Sequence, residues 1–361
     1  MSPFTSTKIK LLSFLLIINV LYIHSGFHQE EIIGMKLNYF VQQLLSNYIG
    51  RLAVPLFFCF SGYLFFLNTN NQMATIRKKI NSRIHSLIPP YLYGCIFFVV
   101  VLYLITILPG SEKYFNVGIA DFFNKTGLSL IKNVFWMVDQ GSSPMAFQLW
   151  FLRDLIVVVG ISPLLFYIFK YMNYWGFLLL FLLSFIPFNQ YFTLNSAVPT
   201  TLFTSLLWFA LGGVLAVNNS KLVFNKRSIG IVIFLTYLCL SICEEIVGGT
   251  FFGAIYPLII LLGISSIWLT YDILVKNGFS VSNYKWLETA CSFTFFIYLF
   301  HEPTLNIVRK IVVAILGKNE FGYLISYLIS PLLFVLIAVL IGLVFRKKAT
   351  KIYSNLVGGR V

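Results

Sequence analysis

GYLISYLISPLLFVLIAVLIGLVF, residues 322–345, carries no charged side chain and stops at Arg346-Lys347-Lys348. A helix rises ~1.5 Å per residue and the hydrocarbon layer of a bilayer is ~30 Å thick, so a run of this length is expected to cross a membrane as a helix. The bases that follow mark its cytoplasmic end. Working outward from this run, comparable apolar stretches cover 9–27, 50–68, 87–108, 146–169, 174–190, 198–217, 229–247, 252–274 and 289–307. In lipid every backbone polar group must be bonded within the chain, so each reads as a helix. The expected fold is all-α, a polytopic integral membrane protein of about ten transmembrane helices, with 1–361 forming one transmembrane domain and no soluble accessory domain.

The composition agrees. A chain of 361 residues that is 58% hydrophobic and 11% charged is not an ordinary water-soluble domain. Its net charge of +14 would suggest nucleic acid in a soluble protein, but here the bases gather in short segments between apolar runs, which is a topology signal. An N-in, C-in arrangement puts 17 of the 26 bases inside, among them Lys8, Lys10, Arg77, Lys78, Lys79, Arg83, Arg346, Lys347, Lys348, Lys351 and Arg360, with only Asp272 and Glu288 of the acids. A different reading of the turn at Gly248-Gly249 gives nine or eleven spans instead. Residues 11–27 lack a small-residue cleavage site and read as the first membrane helix rather than a signal peptide. The five cysteines lie inside apolar runs without paired spacing or a histidine set, so buried thiols are expected and no metal. The longest outer loop, 109–145, has turn signals at Pro109-Gly110 and Gly141-Ser142-Ser143-Pro144 around an amphipathic stretch from Phe122 to Val138. No repeat of fixed period is present.

Ionisable groups at membrane depth are expensive, so their placement is the functional clue. Toward the outer ends of the expected helices stand His24, Arg51, Arg153 with Asp154, Glu244 with Glu245, and His301 with Glu302. One outward-facing cavity shared by these groups is expected. At the inner side Arg77, Lys78, Lys79 and Arg83 lead into Leu87-Ile88-Pro89-Pro90-Tyr91. Arg77 and Lys78 read as anchors, whereas Lys79 and Arg83, four apart on one helical face, are candidates for holding a phosphate. His28 and His85 have bland interfacial readings. His24, by contrast, stands in an otherwise apolar helix and is followed by Ser25-Gly26.

Together these residues spell a pattern. Ile23-His24-Ser25, Val54-Pro55-Leu56-Phe57-Phe58 with Ser61-Gly62-Tyr63-Leu64-Phe65, Arg83 before Leu87-Ile88-Pro89-Pro90-Tyr91, Leu149-Trp150-Phe151-Leu152-Arg153-Asp154-Leu155, and Phe296-Ile297-Tyr298-Leu299-Phe300-His301-Glu302-Pro303 follow in order over nearly the whole chain. In this the chain resembles the acyltransferase 3 family of bacterial membrane O-acyltransferases, and is similar to the branch that includes the enterobacterial common antigen O-acetyltransferase. The resemblance implies acetyl-CoA or another acyl-CoA as cytoplasmic donor, and as acceptor a hydroxyl of a surface polysaccharide or lipid-linked glycan on the outer side of the cell membrane. It also implies that His24 is the catalytic histidine and that inner bases contribute to the donor site. One departure stands out: the arginine usual in the family eleven residues before this histidine is Ser13 here. Lys10, one turn earlier, is a substitute, but as a point charge rather than a fork.

The expected mechanism has Lys79 and Arg83, with Lys10, holding the CoA phosphates while the thioester threads toward His24. From Lys10 to His24 is about 21 Å of helix. His24 then acts as general base or carries the acyl group as an acyl-imidazole. Arg153 is the candidate oxyanion stabiliser, and Glu302 or Asp154 the candidate orienter of His24 or His301. Two alternatives from other classes share the helices: a transporter or flippase for a glycolipid or small solute, and an inactive acyltransferase-like binding protein. Transporters favour two related halves with midplane charges, which this chain lacks.

Overall fold

The protein is described here by a computed structural model covering residues 2–69, 72–107, 126–139, 141–186, 199–220, 227–275 and 281–360. Among the described residues it is all-helical. Helix α1 (Pro3–His24) starts on Ser2, whose hydroxyl caps the Thr5 amide. The next apolar run belongs to a longer helical stretch, α2 (Lys36–Phe66), whose middle widens and then tightens through Gln43–Ile49 and Gly50–Leu52. Then follow α3 (Met73–Thr106), α4 (Gly127–Phe135), α5 (Trp150–Met172), α6 (Tyr174–Leu183) and α7 (Leu202–Val217). The second half holds α8 (Arg227–Val247), α9 (Thr250–Leu274), α10 (Lys285–Ser292), α11 (Thr294–Phe300), α12 (Thr304–Leu316), α13 (Glu320–Lys348) and α14 (Thr350–Leu356).

Seven of these, in α1, α2, α3, α5, α8, α9 and α13, are long and apolar enough to cross a membrane, and α6 and α7 are shorter apolar helices. The expected ninth span, 289–307, is broken into α10, α11 and α12, with breaks at Phe293 and at His301-Glu302-Pro303. The turn at Gly248-Gly249 does separate two helices, both glycines taking positive φ (60° and 89°) that a side chain would strain. Of the expected amphipathic stretch, α4 is the described part; the Pro109-Gly110 turn and the first residues of the stretch lie outside the described residues, as do the bases Lys221, Lys226 and Lys276. All five cysteines are free, Cys95 and Cys291 buried and Cys239 exposed.

Helix α13 shows how the chain sorts its faces. Ser326, Ser330, Phe334, Ala338 and Gly342, four apart, are buried, while Leu332, Leu336, Leu340 and Val344, also four apart, lie outside. Small and hydroxyl-bearing residues inside with large aliphatics outside is the arrangement of a helix whose solvent is lipid. The closest contact is between α2 and α7. Gly62 lies against the Phe209 carbonyl and Gly212 against the Cys59 carbonyl, a reciprocal pairing that makes the two helices antiparallel and leaves no room for a Cβ. Lys8, fully buried, pairs with Asp272 of α9 at 2.8 Å, its ammonium 3.6 Å above the Trp268 ring.

Candidate active site

His24 is the last residue of α1, and the chain beyond it is tied down from two sides. Gln42 accepts from the Phe27 amide at 2.8 Å. Arg309 of α12 donates to the carbonyls of Gly26 and Ser25, which the helix end leaves without internal partners. The imidazole lies against Phe147, ring centroids 5.3 Å apart, and against His301, 5.0 Å apart. Among the described residues it has no hydrogen-bond partner.

His301 stands where α11 stops. Its Nδ1 lies 2.7 Å from the Tyr298 carbonyl, an acceptor only, so the proton sits on Nδ1 and Nε2 keeps a lone pair. That Nε2 is buried without a partner among the described residues, as is Oε1 of Gln148. Gln148 is fixed by its neighbours: its Nε2 donates to the Glu302 carbonyl at 3.2 Å, and Tyr298 donates to the Gln148 carbonyl at 3.1 Å. Buried polar groups are normally satisfied, so two free acceptors beside a free imidazole mark a place built for a donor group such as a hydroxyl.

From His24 a cavity of about 320 Å³ follows α1 past Val20 and Ser13 to Ile9. Helices α10 and α11 run alongside in the same sense, for Lys10 meets Glu288 at 3.2 Å near one end and His24 meets His301 at the other. The far mouth is lined by Ser13, Arg83, Ser292, Thr294, Val357 and Arg360, and the walls between are aromatic and aliphatic in about equal measure. Among the described residues no carboxylate lines it. Its volume is at the lower end for ligand pockets, ~300–1,000 Å³, which suits an extended arm better than a nucleotide.

The other expected site residues lie elsewhere. Arg153 is clasped by Asp154 at 2.6 Å and donates to the carbonyls of Trp136 and Ser142, while Asp154 accepts from Thr201 and Ser205. This network secures the start of α5. Lys79 donates to the carbonyls of Phe65 and Leu67 and so finishes α2. Lys10 pairs with Glu288, and the Glu302 side chain is buried outside the lining. The outer charges divide as well: Arg51 pairs with Glu244 at 2.6 Å and with Ser241, and Glu245 accepts from Tyr39 and Gln43. Of the expected residues, His24 and Arg83 line the cavity and His301 abuts it. Gln148, Arg309 and Arg360 were not foreseen. Gln148 directly precedes the quoted 149–155 stretch, but nothing in the spacing of Arg309 or Arg360 marks them.

Fold and cavity together define a multi-pass membrane protein, all-helical among the described residues, with two adjoining imidazoles at one end of an internal passage and guanidinium groups at the other. Residues 7–345 match the acyltransferase 3 family, an acyltransferase domain, and the chain belongs to that family. No curated protein and no solved structure matches it significantly.

Proposed function

We propose that the protein moves an acyl group, acetyl in the first instance, from acyl-CoA at the cytoplasmic mouth to a hydroxyl of a surface carbohydrate or glycolipid at the outer side, as in the enterobacterial common antigen O-acetyltransferase branch that its sequence resembles. The observation that carries this reading is the passage from Arg83 to His24. Arg83 has no ion-pair partner among the described residues and is free to hold a phosphate. The arm of the donor lies along α1, bringing its thioester carbonyl to His24. One ring nitrogen of His24 takes the proton of the acceptor hydroxyl as the oxygen attacks the carbonyl carbon. The carbon–sulfur bond breaks, and the departing thiolate takes that proton back from the imidazolium. The free acceptors on His301 and Gln148 take hydrogen bonds from other hydroxyls of the same acceptor and so hold it in place.

In this reading Arg153 and Glu302 are positioning residues, the first holding the start of α5 and the second placing Gln148 through its carbonyl. Lys79 and Lys10 shape the cytoplasmic mouth from behind. N-in, C-in topology and about ten crossings, with the broken ninth span completing the bundle, belong to the same proposal. The test is acyl transfer by purified protein, read as thiol release from acetyl-CoA with and without glycan acceptor. His24→Gln is expected to insert and bind CoA but to lose transfer at least ~100-fold. Near-normal transfer by His24→Gln would overturn the assignment.

A further inference from the structure

The segment after α13 returns to the bundle and becomes part of the cavity. Tyr353 of α14 is buried on Phe293 and Phe296, ring centroids 5.9 and 5.7 Å away, and Val357 is 1% exposed. The docking point is prepared by the sequence of α3. Pro90 has no amide hydrogen, so the carbonyl four residues earlier, that of Ser86, loses its helical donor. Arg360 Nη1 takes the vacancy, donating to Ser86 at 3.3 Å and to Val357 at 2.8 Å. Gly358, at φ 64°, lies so close to the Ser86 carbonyl that no side chain fits between.

The guanidinium thus held stacks 4.1 Å above the Phe295 ring, and its Nε and Nη2 have no protein partner among the described residues. A planar fork with one edge clasped and the other free is suited to two parallel hydrogen bonds to a phosphate. Arg360 lines the cavity together with Arg83, and neither has a carboxylate partner among the described residues. Burial, and then the charge of Arg83, bring Arg360 down to about 10, so it stays charged at neutral pH beside a like charge. Two neighbouring cations without a carboxylate partner among the described residues favour an anion between them.

We propose that Arg360 and Arg83 form a two-guanidinium site for phosphate groups of the acyl donor, with residues 349–360 supplying the second cation from behind Ser13. This rests on the acyl-CoA reading above. The test is calorimetric binding of coenzyme A, and separately of inorganic pyrophosphate, to the full chain in nanodiscs. Arg360→Ala is expected to weaken CoA about tenfold or more, and to raise the KM for acetyl-CoA while leaving kcat largely intact. Arg360→Lys, which keeps the charge but not the fork, is expected to weaken it severalfold. Ser13→Arg, pointing a new cation into the same mouth, is expected to recover much of the loss in the Arg360→Ala background. Wild-type binding of CoA with unchanged affinity in both Arg360 variants would reduce Arg360 to a clasp for the tail and leave the acyltransferase reading standing. Failure of the wild type itself to bind CoA would overturn that reading, and this one with it. If Arg360→Ala melts early, Arg360→Lys carries the test, and equal affinity there overturns the proposal.

Discussion

Lys8 looks in the sequence like one more base at the cytoplasmic edge, yet its side chain is fully buried and its ammonium sits between Asp272 and the face of Trp268. Periodicity cannot distinguish such a base from an anchor, because the partner is 264 positions away on another helix. The same holds for Arg309 and Arg360, whose targets are backbone carbonyls that no side-chain pattern advertises. His24 was legible because a histidine is conspicuous in an apolar helix, and Arg83 because it precedes a proline pair. A buried ion pair is sensitive to losing one member: Lys8→Met takes the Lys8 ammonium away from the buried Asp272 carboxylate and is expected to destabilise by ~3–5 kcal/mol. Lys8→Met combined with Asp272→Leu is expected to recover most of that, since burying two charges gains little over apolar packing. Thermal unfolding in detergent of the two single variants and the double checks this, and additive losses would show that the pair is not coupled.

At the scale of elements, long charge-free runs were easy to place because length and hydropathy alone require a helix. Where helices stop was harder to see. The basic stretch 73–86 joins the expected third span in one unbroken helix, α3, through Pro89 and Pro90, since the carbonyls freed by proline can be served from elsewhere. The expected ninth span breaks into three pieces, leaving His301 between α11 and α12, its carbonyl accepting from the Leu305 amide at 2.6 Å. Close approach of α2 and α7 depends on side chains that are absent. Gly212→Leu would drive a branched chain into the Cys59 carbonyl, and a loss of ~1–3 kcal/mol or failure to fold is expected, read as early melting of the detergent-solubilised protein. Gly160, with open space around its Cα, is the matching control: Gly160→Leu is expected to melt as the wild type does.

For the whole molecule, the sidedness of the passage decides whether donor and acceptor meet across the membrane. In a chain stripped of its five cysteines, Arg77→Cys and Lys351→Cys are expected to resist an impermeant thiol reagent in intact cells, whereas His28→Cys and Lys318→Cys are expected to react. Labelling of the first two would place Arg83 and Arg360 outside and reverse the proposed direction of transfer. The clasp between Arg360 and the Ser86 carbonyl joins positions 274 residues apart. Ribosomes make a chain from its N-terminus at ~5–20 residues per second, so α3 enters the bilayer well before its partner exists. A chain made only as far as α3 therefore already carries His24 and Arg83, while the guanidinium proposed to join Arg83 comes 274 residues after Ser86.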